Sequence, residues 1–359
     1  MSRVIAPGAT IGVLGGGQLG RMLALAAASL GYRVHVFTPE PDSPAAQVSA
    51  AASVAAYEDA DALAAFAAAV DVVTFEFENV PAATAAHLAA RVAVHPSPRV
   101  LAIAQDRLAE KRFLESIGVA VAPFRPVDDR AGLDAALAAL GRPAVLKTVR
   151  LGYDGKGQAT IRAGDDADRA FAALGGAPGV LEAFVDFRME ASVIVARTAE
   201  GHTAAYVPVE NRHVQHILDT TIAPADLPPA VAAEAERIAR HVAERLDLVG
   251  LLAVEMFVGR DDRVIVNELA PRPHNSGHWT IDACRTSQFE QHVRAVCGLP
   301  LGSPERHSDA VMKNLVGDEV GLWREALADP TARLHLYGKK EARPGRKMGP
   351  VTRVAPRKA

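Results

Sequence analysis

Two acidic residues lie in neighbouring apolar runs. Glu255 sits inside Leu-Leu-Ala-Val-Glu-Met-Phe-Val (251–258), and Glu268 ends Arg-Val-Ile-Val-Asn-Glu (263–268), with a turn at Gly259, Arg260, Asp261 and Asp262 between them. Strands joined by so short a turn pair antiparallel, which lets the carboxylates converge. Converging buried carboxylates repel unless one is protonated or a cation lies between them. Mg2+ takes one or two carboxylates plus phosphate oxygens and suits such a pair; the other reading is an ordinary surface pair. Directly after Glu268, a stretch stiffened by two prolines carries Arg272, His274 and Asn275. These groups bind or orient an anion, and an arginine can grip a carboxylate or phosphate with two parallel hydrogen bonds.

A cation and a glycine-rich loop precede them. Lys147 lies in an apolar run, 143–149, where an ammonium is costly without a partner. A nucleotide phosphate would serve; an edge-strand lysine snorkelling to water is the bland reading. The loop that follows is Gly152, Tyr153, Asp154, Gly155, Lys156, Gly157. It lacks the GxxxxGK[ST] pattern of a Walker A loop, but its glycines free the backbone to fold over phosphates. It reads either as a flap that excludes water from a hydrolysable intermediate or as a plain hairpin loop.

A second glycine loop, Gly15-x-Gly17-x-x-Gly20, stands between a strand and a helix. Helix N-terminal N–H groups favour an anion there. Glu40 sits where an acid could hold a ribose, so a nicotinamide site, a phosphate of another ligand and a tight structural turn all remain open. In Phe75-Glu76-Phe77-Glu78-Asn79 the two acids share one side of a strand end. The C-terminal end of a parallel strand faces the ligand crevice, which favours Glu76 as a hydroxyl-binding residue over a strand running out into solvent.

The elements that must hold these groups follow from periodicity. Runs at 10–14, 33–37 and 71–75 read as strands, with helices at 18–30 and 59–69. Such alternation predicts a parallel sheet. Pro96 and Pro98 mark a boundary, followed by a polar-faced helix over 105–117. Further strands are expected at 179–185, 190–197 and 203–209, an amphipathic helix at 229–246, and a helix over 282–297 capped by Gly298; the remainder reads as a small, turn-rich module.

Composition narrows the class. The 359 residues suffice for two or three domains, and 49% are apolar. The net charge of −3 excludes an overall basic nucleic-acid binder. One basic run stands out: Lys339, Lys340, Arg343, Arg346, Lys347, Arg353, Arg357 and Lys358. It reads as a solvated tail, a polyanion site or a phosphate clamp. Cys284 and Cys297 form no CxxC pair, which fits a reducing cytosol. Pro7 and Gly8 break the first apolar stretch, so no signal peptide is expected, and no stretch reads as a transmembrane helix.

Lysine on a strand, glycine flap and two acids on paired strands together resemble the ATP-grasp superfamily. More narrowly the chain is similar to the N5-carboxyaminoimidazole ribonucleotide synthetases. That likeness is carried by GGGQLGRM (15–22), FEFENV (75–80), QDRLAEKRFL (105–114), GYDGKGQ (152–158), NELAPRPHNSGHWT (267–280) and YGKKEARPGRKMG (337–349). It implies an α/β fold in three parts: a Rossmann-like parallel-sheet domain over 1–104, an ATP-grasp domain over 105–298 and a small β-rich domain over 299–359.

The resemblance also implies roles. Arg107, Lys147, Gly152, Tyr153, Asp154, Gly155, Lys156, Gly157 and Gln158 would contact ATP phosphates. Glu182, Ala183, Phe184 and Val185 would read adenine, Glu190 would hold the ribose, and His213 and Asn267 would complete the pocket. Glu255 and Glu268 would bind Mg2+. Arg272, His274 and Asn275 would surround a carboxyphosphate, with Lys147, Tyr153 and Asp154 joining the reacting groups. Gly17, Gln18, Leu19, Glu76, Lys339, Lys340, Arg346 and Lys347 would hold 5-aminoimidazole ribonucleotide. Bicarbonate as co-substrate, a cytoplasmic homodimer, and no nucleic-acid or membrane partner complete the expectation.

Two rivals share parts of the pattern. A formate-using glycinamide ribonucleotide transformylase has the same flap and metal acids, but that family tends to have Glu where this chain has Gln18, and Asp in place of Asn275. An NAD-dependent oxidoreductase built on the first glycine loop leaves the second loop and the paired acids unexplained, and a non-catalytic nucleotide-binding module leaves the metal acids without a task.

Overall fold

The computed structural model describes residues 4–152 and 157–358. Among these residues the strands form three sheets. The first is parallel, with Thr10–Leu14 flanked by Arg33–Thr38 and Val72–Phe75, and Ala51–Val54 at the outer edge. Leu14 pairs with both Phe37 and Phe75, so the C-terminal ends of these strands are level. Helix Gln18–Ser29 leaves from that level edge. Ile11, Val13, Val34, Val36 and Val72 fill the core beneath it.

The second sheet is antiparallel, in the order Phe124–Val127, Gly179–Ala183, Ala144–Thr148, Gln158–Ile161. The third and largest runs antiparallel from Val264–Ala270 through Gly250–Gly259, Phe187–Arg197, Val209–Val214, Ile217–Ala223, Ser308–Val316 and Lys347–Pro356 to Ala332–Leu334. Helix Pro229–Arg245 covers one face of it, burying Ala235, Ile238, Ala239 and Val242 against Val193, Val195 and Val254. Full burial of one such Val or Ile side chain stabilises by about 1.5–3 kcal/mol, so this stripe fixes the strands that carry the acids.

The structure departs from the sequence reading in several elements. Ser97 caps a helix at Pro98–Ala104, since Pro at a first helical position loses no hydrogen bond; the prolines therefore open an element as well as closing a unit. Asp106 then caps Arg107–Ser116, accepting from Leu108 and Ala109 N–H. The single strand expected at 203–209 is two, Thr203–Ala205 and Val209–Val214, parted at Pro208, which has no N–H to give a ladder. The helix expected over 282–297 is interrupted between Thr280–Ala283 and Gln288–Val296. Cys284 there forms a bridge with Arg306, and Ser287 caps the second helix. Finally, the segment expected as a small, turn-rich module carries two long strands, and Ser308–Val316 pairs with Ile217–Ala223, so the module's strands extend the largest sheet.

Candidate active site

A cavity of about 880 Å3 opens between the three sheets. The parallel sheet contributes Gln18, Leu19, Glu76 and Glu78; the second sheet and its approach give Lys147, Gly152, Gln158 and Glu182. Ala183, Phe184 and Val185 continue the wall after Glu182. The largest sheet supplies Glu190, His213, Glu255, Asn267 and Glu268, followed by Arg272, His274 and Asn275. Arg107 enters from its helix and Lys347 from the last long strand. Residues scattered from 18 to 347 in the sequence thus meet at one place.

Glu255 and Glu268 are direct partners across the antiparallel pair, as the short turn requires. Each already has a basic side chain beside it. His274 Nε2 lies 3.1 Å from Glu255 Oε1, and Arg107 Nη1 lies 3.0 Å from Glu268 Oε2. Arg107 also donates to the Gly152 carbonyl at 2.9 Å. Burial pushes the Glu255 carboxyl up, but His274, His213 and Arg272 outweigh it and hold it at about 2. It is therefore an anion at neutral pH, as a cation ligand must be. No group of three or more His, Cys, Asp or Glu converges as a metal site among the described residues, and a pair completed by phosphate oxygens needs only the two acids.

The nucleotide-type residues form a second cluster. Lys147 Nζ lies 3.0 Å from Glu182 Oε2 and donates to Asn267 Oδ1 at 3.4 Å. His213 Nδ1 lies 2.9 Å from Glu190 Oε2. Burial lowers the His213 imidazole, yet Glu190 raises it by more. Asn275 lines the cavity with Arg272 and His274, and both of its side-chain polar atoms are buried without partners among the described residues. Gly157 keeps its expected glycine character: it adopts φ +69°, and a Cβ there would meet Thr148 Oγ1 at 2.6 Å. Tyr153, Asp154, Gly155 and Lys156 lie outside the described residues.

The first glycine loop corrects an expectation. Three of its N–H groups are already taken by the side chain of Glu76. Gly17 N donates to Glu76 Oε1 at 2.8 Å, and Leu19 N and Gly20 N donate to Oε2 at 3.2 Å each. Gly15 has φ +104°, and a Cβ there would lie 2.6 Å from Glu76 Cγ. The glycines make room for a side chain of the same molecule, which explains their pattern without a bound dinucleotide. Gly17 is not on the cavity wall, whereas Gln18 and Leu19 are.

The basic run divides too. Lys347 lines the cavity, and Lys339 Nζ donates to the Lys347 carbonyl at 2.7 Å. Lys340 is exposed and lies 2.5 Å from Asp42, while Arg346 donates to the Glu341 carbonyl at 3.1 Å. Neither Lys340 nor Arg346 reaches the wall. The segment packs beside the first sheet: Gln47 Nε2 donates to the Gly338 carbonyl at 3.2 Å, and Arg21 donates to Gln47 at 2.9 Å.

Three residues escaped the sequence reading. Glu78 pairs with Arg272, tying the parallel sheet to the anion-binding stretch. Glu110 accepts from Leu269 N at 2.9 Å; burial and then Glu268 raise its carboxyl to about 8. Lys111 lies buried 3.2 Å from Glu182. Glu78 shares Glu76's side of the strand end, so the signal was present; Glu110 and Lys111 look like ordinary solvated charges on a polar-faced helix.

Fold and site together define an ATP-grasp enzyme, an ATP-dependent ligase. Three family profiles match in order: the ribonucleotide synthetase preATP-grasp domain over 8–105, the ATP-grasp domain over 112–289, and the phosphoribosylaminoimidazole carboxylase C-terminal domain over 310–359. The N5-carboxyaminoimidazole ribonucleotide synthase of Brucella melitensis biotype 1 is 53% identical over 353 residues, covering 98% of each chain. An ADP complex of an N5-carboxyaminoimidazole ribonucleotide synthetase superposes with a TM-score of 0.96 at 45% identity, covering 99% of this chain and 94% of that one. The Aspergillus clavatus enzyme in complex with ADP and 5-aminoimidazole ribonucleotide gives a TM-score of 0.91 at 34% identity, covering 97% and 94%. The chain belongs to the N5-carboxyaminoimidazole ribonucleotide synthase family.

Proposed function

We propose that this enzyme uses ATP and bicarbonate to carboxylate the exocyclic amine of 5-aminoimidazole ribonucleotide, giving the N5-carboxyamino product, ADP and phosphate. The observation that carries the reading is the meeting, in one cavity, of the paired acids Glu255 and Glu268, the lysine Lys147 and the anion-binding set Arg272, His274 and Asn275. The Aspergillus clavatus relative solved with ADP and the ribonucleotide supports it.

In this reading a bicarbonate oxygen attacks the γ-phosphorus and the bond to ADP breaks, leaving carboxyphosphate. The amine nitrogen then takes the carboxyl carbon, from carboxyphosphate or from CO2 released by it; phosphate leaves and the nitrogen loses a proton. Lys147 and Arg107 offset charge on the phosphates, and Glu182 to Val185 hold the adenine. Glu190 and His213 take the nucleotide ribose. Arg272, His274 and Asn275 orient the carboxyphosphate, while Gln18, Leu19, Glu76 and Lys347 face the ribonucleotide. Glu255 and Glu268 would hold Mg2+, which when bound neutralises negative charge on the transferring phosphoryl group. The protein supplies position, charge stabilisation and exclusion of water. A cytoplasmic homodimer completes the proposal.

The test is ADP release with each acceptor and one-carbon donor in turn. ADP should form with 5-aminoimidazole ribonucleotide only when bicarbonate and Mg2+ are present, and NAD should change nothing. Turnover with formate and glycinamide ribonucleotide, and none with bicarbonate, overturns the assignment in favour of a transformylase. Sedimentation at micromolar concentration checks the dimer.

A further inference from the structure

We infer that Lys111 is a positioning residue, whose ammonium balances the Glu182 carboxylate so that the charge of Lys147 stays available to a nucleotide phosphate. This rests on the reading of Lys147 as a phosphate ligand given above.

Lys111 lies on helix Arg107–Ser116 and is 1% exposed. Its Nζ is 3.2 Å from Glu182 Oε2, and Lys147 Nζ is 3.0 Å from the same oxygen. Glu182 is 3% exposed, and its Oε1 has no hydrogen-bond partner in the described structure. Val145 pairs with Glu182 across the second sheet, and Lys147, two residues on, shares that face. Glu110, next to Lys111 in sequence, accepts from the Leu269 N–H instead. Glu182 is thus the carboxylate that Lys111 contacts.

Two ammonium groups on one buried carboxylate leave one positive charge in excess. An ion is kept out of water only where a partner compensates it. Lys111 and Glu182 cancel, and Lys147, which lines the cavity, carries the excess. With Lys111 neutral, Lys147 and Glu182 would cancel each other. An incoming phosphate would then compete for Lys147 with a carboxylate already 3.0 Å away. Lys111 itself is absent from the cavity wall, so it acts through Glu182 and touches no substrate.

The experiment compares affinities for ADP and for adenosine by titration calorimetry at fixed Mg2+. Their ratio isolates the phosphate contribution from contacts to the base. Lys111→Met should lower the ratio on the order of tenfold, a shift of about 1.4 kcal/mol. Lys111→Met combined with Glu182→Gln removes both charges of the pair and should bring the ratio back to within about threefold of the parent, less than 1 kcal/mol. A purely structural lysine would weaken both ligands together. An unchanged ratio in Lys111→Met, or a lowered ratio that Glu182→Gln does not restore, overturns the inference. Should Lys111→Met fail to fold, Lys111→Gln takes its place with a polar but uncharged side chain: a ratio lowered about tenfold supports the inference and an unchanged ratio overturns it. Lys147→Met is the control, because an unchanged ratio there sinks the reading of Lys147 itself.

Discussion

Glu76 and Glu78 end a strand of the parallel sheet; Glu255 and Glu268 face each other across two antiparallel strands. Both pairs border one cavity, yet the chain satisfies them differently. Glu76 takes three backbone N–H groups and is buried, whereas among the described residues Glu268 meets an arginine side chain and is 38% exposed along its side chain. Backbone donors cannot leave without unfolding the loop, so Glu76 is locked. Side-chain donors can swing away, so Glu268 is exchangeable, as the proposed binding of a cation and phosphates there requires. Glu78 and Glu255 lie between these extremes, each paired with one side chain of the anion-binding stretch, Arg272 and His274.

The largest effect should come from the exchangeable end. Glu268→Gln is expected to lower ADP release by about a thousandfold or more, since metal-held charge on the phosphoryl group is worth several kcal/mol. The fold should persist, with little change in melting temperature, because the side chain is half-exposed. No stability gain is expected from relieving repulsion with Glu255, because Arg107 already faces Glu268. Near-normal activity in this variant would place the metal elsewhere and end the contrast.

Glu76→Ala should do the reverse, costing stability first. Three N–H groups lose their acceptor, and each buried donor left unmade costs about 1–3 kcal/mol, partly recovered if water enters. Urea unfolding should show a loss of roughly 3 kcal/mol or more. A variant as stable as the parent would mean that the loop does not depend on its carboxylate.

Much of this division was legible in the sequence. The turn at 259–262 required Glu255 and Glu268 to pair, and the βαβ pattern placed Glu76 at the level strand ends. What the sequence could not show was who satisfies whom. A helix N-terminus after glycines invites an anion, but whether that anion is a ligand or a carboxylate 59 residues away is decided by tertiary packing. Lys111 and Glu110 were hidden for the same reason: a polar helix face reads as solvated until strands are known to cover it. Likewise Ile217–Ala223 went unnoticed, because His216 and Gln215 turn at positive φ without the glycine or asparagine that marks a hairpin.

The intermediate case is Glu78→Gln. Arg272 is buried and would keep its charge with a weaker partner, so carboxylation should slow by roughly ten- to a hundredfold, in line with about 1.5–3 kcal/mol for a charged hydrogen bond. Stability should change with pH in a defined direction. Burial raises the Glu78 carboxyl, but Arg272 lowers it by more, so its folded pKa lies below the unfolded one. That contribution is present above the ordinary glutamate range and lost as pH falls through the folded value. The variant should therefore unfold less steeply on acidification than the parent. An identical acid limb in both proteins would show that the pair contributes nothing to folding.

The smallest effect is expected where the charges are most conspicuous. Replacing Lys340 and Arg346 together by Ala removes two cations from the basic run, but both lie off the cavity wall. Lys340 reaches an exposed Asp42, and Arg346 reaches a backbone carbonyl. Exposed pairs of this kind are weakened by solvent and salt. Lys347 differs, because its side chain borders the same space as Gln18, Leu19 and Glu76. Lys347→Met should raise KM for the ribonucleotide by about tenfold or more, the scale of one charge-assisted contact to a phosphate. The double variant should stay within about threefold of the parent, as for other surface charges, and KM for ATP should hold in both. The ranking is sensitive to where the tail contacts the substrate. If the double variant matched Lys347→Met, the outer lysine and arginine would have to swing inward when the ribonucleotide binds, and the basic run would belong with the exchangeable acids rather than with the solvated surface.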